Sequence, residues 1–129
     1  MEFPDDLKYT KDHEWCRVQG GRAVVGITDH AQDQLGDIVY VELPEVGDLV
    51  KKGESFGVVE STKAVSELFA PVSGKVLEVN DPLGESPEMI NQDPYEEGWM
   101  IKVEMSSPGE LGELLDATAY QAYLEEEVE

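Results

Sequence analysis

The chain has 129 residues, 40% of them hydrophobic, which suits one domain with a core of its own. Its 29 acidic residues against 9 basic ones give a formal net charge of −20. That balance argues against nucleic acid or an anionic membrane surface as a partner, because neutralising phosphate needs clustered Lys and Arg. The acid excess serves solubility, steering toward partners with basic patches, or both. No apolar run is long enough to span a bilayer. The opening residues have neither the basic start of a secretory signal nor the Arg-rich character of a transit peptide, so a bacterial cytoplasmic protein is expected, ahead of a mature protein of the mitochondrial matrix. Cys16 is the only cysteine; an internal disulfide is excluded, and any redox chemistry must be borrowed.

In chain order, Glu14 to Val18 reads as a first strand, Gln19-Gly20-Gly21 as a turn and Arg22 to Ile27 as the returning strand. His13 beside Glu14 invites a metal reading, but with only His13 and His30 present and no spaced second ligand group, no metal site is expected. Thr28 is placed to cap a short helix, Asp29 suits its positive end and Gly36 stops it. Asp37 to Leu43 follows as a buried strand rich in β-branched and aromatic residues. Gly47 and Gly53 supply turns that need positive φ.

Ser55 to Val79 is the stretch around which the rest is organised. Phe56 to Val59 is apolar at both parities, as in a strand buried on both faces, and Val65 to Phe69 resumes the pattern after Glu60-Ser61-Thr62-Lys63. Lys63 therefore falls at the tip of a hairpin whose turn lacks the usual Asn-Gly or Asp-Gly chemistry. Ala70 to Lys75 forms the next turn and Val76 to Val79 another strand.

Asn80 to Glu85 reads as loop, and Ser86 with Pro87 as the start of one helical turn. Trp99 to Met105 alternates as a strand with Trp99, Ile101, Val103 and Met105 facing inward. Two helices are expected in a C-terminal segment spanning 107–126. The first is capped by a box from Ser107 to Glu110; the second is capped by Asp116 and buries Tyr120, Tyr123 and Leu124. Glu125 to Glu129 is expected to be a frayed acidic tail.

Glu60-Ser61-Thr62-Lys63-Ala64-Val65-Ser66 resembles the attachment segment of lipoyl carrier domains, and in particular that of the glycine cleavage H proteins. The Gly47-Asp48-Leu49-Val50 to Gly53 spacing ahead of it fits the same pattern. So, in order, do Leu7-Lys8-Tyr9, His13-Glu14-Trp15, Gly26 to Ala31, Gly36-Asp37, Val41 to Pro44, Asn91, Pro94-Tyr95 and Gly98-Trp99-Met100. Cys16 stands where an aliphatic residue is usual, and Glu67 where an Asp is common.

The resemblance implies a mainly β, barrel-sandwich hybrid fold with short flanking helices and C-terminal helices, forming a single lipoyl-carrier domain over 1–129. It implies a carrier rather than an enzyme, acting as a monomer with lipoic acid in amide linkage to Lys63. Glu60 and Gly74 would be read by the lipoate ligase or lipoyl transferase, and Glu14 with Glu67 would line a cleft for the loaded arm. The implied partners are the PLP-dependent glycine decarboxylase, the tetrahydrofolate-dependent aminomethyltransferase and dihydrolipoamide dehydrogenase. The arm would carry an aminomethyl group between the first two and its dithiol to the third. Two alternatives share the hairpin: an H-like protein that stores or relays lipoate, and a lipoyl domain of a 2-oxo-acid dehydrogenase, for which the usual Ala/Pro-rich linkers are missing.

Overall fold

The computed structural model describes residues 1–128. Strands β1 (Lys8–Tyr9), β2 (Glu14–Gln19) and β3 (Arg22–Ile27) open the chain, and helix α1 (Asp29–Leu35) follows. Strands β4 (Ile38–Glu42), β5 (Leu49–Val50), β6 (Ser55–Ser61), β7 (Val65–Phe69) and β8 (Gly74–Val79) fill the middle. A 3-10 turn (Asp81–Gly84), helix α2 (Met89–Gln92), strand β9 (Ile101–Met105), a second 3-10 turn (Pro108–Glu113) and helix α3 (Ala117–Val128) complete it.

The strands form a six-stranded sheet in the order β1-β2-β3-β9-β8-β5 and a three-stranded sheet in the order β4-β6-β7. The pairings between these strands are antiparallel. Val25, Val76, Ile101 and Val103 of the larger sheet meet Ile38, Val41, Val59 and Leu68 of the smaller across one core. This is the expected sandwich, open at its edges rather than closed into a barrel. Trp15 and Val24 lie on the far side of the larger sheet, packed with Leu7, Tyr9, Tyr95, Tyr120 and Leu124, so α3 covers that face. A third cluster joins Cys16, Ala23 and Val72.

The capping chemistry of α1 is as its sequence suggests. Thr28 Oγ1 accepts from the Ala31 N–H at 3.2 Å, and Gly36 ends the helix at φ 82°. Asp116 caps α3 by accepting from the Ala119 N–H at 2.7 Å.

Several expectations are corrected. Strand β4 is not buried along its length: a bulge between Ile38 and Tyr40 breaks the alternation and leaves Val39 and Tyr40 exposed. Strand β6 is not buried on both faces: a bulge between Ser55 and Gly57 shifts the alternation, so Phe56 and Val59 both go into the core while Val58 is half-buried. The turn at Ser86 and Pro87 has no side-chain cap; the carbonyls of Ser86 and Pro87 accept from Met89 and Ile90 N–H, and α2 starts only at Met89. Strand β9 begins at Ile101, so Trp99 precedes it and packs with the α3 cluster, while Met100 is fully buried. The segment after Ser107 is a 3-10 turn without a side-chain cap, because Glu110 accepts instead from Ser73 N–H at 2.7 Å and Ser73 Oγ at 2.8 Å. The acidic tail is helical as far as Val128, and Glu129 lies outside the described residues.

Candidate functional site

Lys63 sits between β6 and β7, in a tip of only Thr62, Lys63 and Ala64. Ser61 shapes this turn. Its N–H donates to the Ala64 carbonyl at 2.8 Å, while its Oγ accepts from Lys63 N–H at 3.2 Å and Ala64 N–H at 3.1 Å. A serine side chain thus does the work that Asn-Gly does in tighter hairpins. Thr62 N–H donates to the Asp37 carbonyl at 3.0 Å, pinning the tip to the junction between α1 and β4.

The Lys63 side chain is exposed, and among the described residues it makes no ion pair. Lys52 and Lys102, by contrast, pair with Glu113 and Glu78 at 3.8 and 3.7 Å. Beneath Lys63 lies Gly36, where an added Cβ would come 2.9 Å from Lys63 Cε. Gly36, a helix stop and part of the family pattern in the sequence, is also a site residue; its absence of a Cβ gives the lysine stem room to lie down.

Glu60 is half-buried, directly across from Tyr40 and Val65 in the smaller sheet. Gly74 is buried at the start of β8, where a Cβ would run into the Glu104 carbonyl and the Val103 side chain. It is required by the close approach of β8 to β9, which is a packing reason for glycine.

Glu14 is 1% exposed, not a solvated strand-end acid. One carboxylate oxygen accepts from Thr10 Oγ1 at 2.8 Å and the other from Phe69 N–H at 3.2 Å, tying β2 to the end of β7. Burial pushes its pKa up from 4.5 to about 8, against the opposing pull of those two hydrogen bonds. The preceding residue, His13, takes φ 70°, and its Nδ1 lies 2.9 Å from the Tyr120 hydroxyl, which in turn lies 2.8 Å from Thr28 Oγ1.

Glu67 is exposed at the middle of β7, opposite Val58. No hydrogen bond joins it to Glu14 among the described residues; Glu67 stands on the outer face of β7, while Glu14, on β2, reaches the far end of that strand at Phe69 N–H. A cleft of about 220 Å³ borders Thr10, Gly53 and Ala70 at that end. Cys16 is buried and its thiol pushed up to about 12 by burial, so it is an inert core residue.

The family model described as "Glycine cleavage H-protein" matches residues 7–127. The glycine cleavage system H protein of Anaeromyxobacter sp. (strain K) is 71% identical over 127 residues, covering 98% of this chain and 99% of that one. The H protein of Symbiobacterium thermophilum is 63% identical, with 95% and 96% covered. A mitochondrial H protein of Arabidopsis thaliana is 58% identical, with 95% and 78% covered. Among solved structures, a glycine cleavage system H protein from Mycobacterium marinum superposes with a TM-score of 0.88 at 46% identity, covering 95% of this chain and 99% of that one. With its fold, its hairpin lysine and nearly all its length accounted for, this chain belongs to the glycine cleavage H-protein family.

Proposed function

We propose that this chain is the lipoyl-bearing shuttle of a glycine cleavage system, a monomeric cytoplasmic carrier that catalyses nothing alone. It would serve the glycine decarboxylase, the aminomethyltransferase and dihydrolipoamide dehydrogenase in turn. The observation that carries the reading is Lys63: exposed, free of ion pairs among the described residues, and held on a three-residue tip by Ser61 and Asp37. A lipoyl group in amide linkage to its Nζ fits there, since the tip is open and Gly36 leaves space beside the stem.

When bound, that group supplies a disulfide that can accept and release a carried fragment, chemistry that the buried Cys16 cannot offer. The protein's own residues present and shelter. Ser61 and Asp37 fix the direction of the lysine, and Gly36 lets it fold down. Glu67 and Glu14 mark the middle and the far end of β7 as the proposed lining for the loaded arm. Glu14 there is a carboxyl kept neutral by burial, which ionises when a cation comes alongside and lowers its pKa.

Incubation of the unmodified chain with lipoate, ATP and a lipoate ligase, followed by peptide mass mapping, is expected to place one adduct on Lys63 and none on Lys63→Arg. Modification of the Lys63→Arg chain to the same extent would overturn the assignment.

A further inference from the structure

Around the hairpin lysine, the outward face of the smaller sheet has a pattern of its own. Tyr40 pairs with Glu60 and Glu60 with Val65; Glu42 pairs with Val58 and Val58 with Glu67. Paired residues point to the same face of a sheet, and residues two apart along a strand share it. The six side chains therefore form two adjoining rows, apolar-acidic-apolar above acidic-apolar-acidic. The opposite face, with Val41 and Val59, is buried in the core.

Nothing in the described chain covers this checkerboard: Tyr40 is 48% and Val65 66% exposed, and Glu42 and Glu67 are exposed. No cation balances it, since none of the six is basic and no ion pair among the described residues uses Glu42, Glu60 or Glu67. The row nearest the tip ends beside Lys63, because Val65 opens β7 just after it.

We propose that this face is the docking surface for the enzyme that modifies Lys63, whose matching rim carries arginine or lysine side chains set between apolar ones. The proposal rests on the reading of Lys63 as the attachment site. An unmodified lysine reaches only the length of its four-carbon stem. An enzyme acting on its Nζ must close onto the hairpin and bury the flanking sheet, whereas enzymes that act at the end of a long arm can stand further off. Strand β4 is thereby assigned a part in recognition although it lies outside the hairpin. Exposed aromatic and apolar residues give such a contact its anchor, and the acids its register and partner choice.

The test is steady-state kinetics of lipoate attachment, with lipoate ligase and ATP, on the full chain and on Tyr40→Ser, Glu42→Lys and Glu125→Lys. Glu125 is exposed on α3, which covers the far side of the larger sheet, so its reversal makes the same change in net charge at a distance. Expected is a rise in KM for the chain of about tenfold in Tyr40→Ser and Glu42→Lys, with kcat within about twofold, and no change in Glu125→Lys. Thermal melts of the four chains identify any loss that comes from unfolding. KM values for the two β4 variants within about twofold of the parent, or an equal rise in Glu125→Lys, would overturn the surface while leaving Lys63 assigned. A parent chain that takes no lipoate would overturn both.

Discussion

Glu14 shows how much one buried acid can weigh. In the folded chain its pKa stands near 8, against an ordinary value of 4.5. Between those values the native state holds a proton that the unfolded chain has released, so stability contributed through this group falls as pH rises from about 4.5 toward 8. Gln carries no charge at any pH, has the shape of the neutral acid, and its amide oxygen can still accept from Phe69 N–H. Glu14→Gln is therefore expected to match the parent in urea unfolding near pH 5 and to exceed it by roughly 2–4 kcal/mol at pH 9. Parallel stability curves across that range would mean that Glu14 is ionised and solvated after all. Sequence alone singled out this position only through family resemblance. One local clue lay in Trp15-Cys16, a pair that buries both faces of the strand and takes its first residue inside as well. The Phe69 partner, 55 residues away, had no local signature.

At the scale of elements, local chemistry was readable and long-range competition was not. Thr28, Gly36 and Asp116 cap as written because their partners are neighbours. The Ser107 box failed because Glu110 found Ser73, 37 residues off. The bulge in β4 was hidden because Ile38-Val39-Tyr40-Val41 is apolar throughout, leaving no polar residue to mark which face is which. Gly74 belongs to the same lesson: resemblance assigns it to recognition by the modifying enzyme, while the register of β8 on β9 gives it a packing role. Gly74→Ala separates the two. Forcing β8 away from Glu104 is expected to cost about 1–3 kcal/mol in denaturant unfolding, with kcat/KM for lipoylation per folded molecule unchanged. A melt like the parent's combined with poor lipoylation would assign Gly74 to the enzyme's contact instead.

For the whole molecule, a net charge of −20 sets a negative field far larger than any single pair contributes. On the proposed reading, the association rate with the aminomethyltransferase should fall at least about tenfold between 50 mM and 500 mM salt, while dissociation changes less. Stopped-flow measurement would check this, and a flat response would leave the charge serving solubility alone. The bridge between Tyr9 and Leu115 has a consequence in time. Tyr9 exchanges both backbone hydrogen bonds with Leu115, at 2.7 and 2.8 Å, and its ring stacks on Tyr120 at 4.7 Å. β1 can pair with β2 early, but its other edge waits for Leu115 to be synthesised. A nascent chain still holding α3 inside the ribosome carries Leu7, Tyr9 and Trp15 uncovered. Contacts of such long sequence separation also form slowly, since loop closure must precede them. The lysine hairpin, local in sequence, can form while the chain is still emerging; the clasp that encloses the aromatic cluster closes only after α3 has followed.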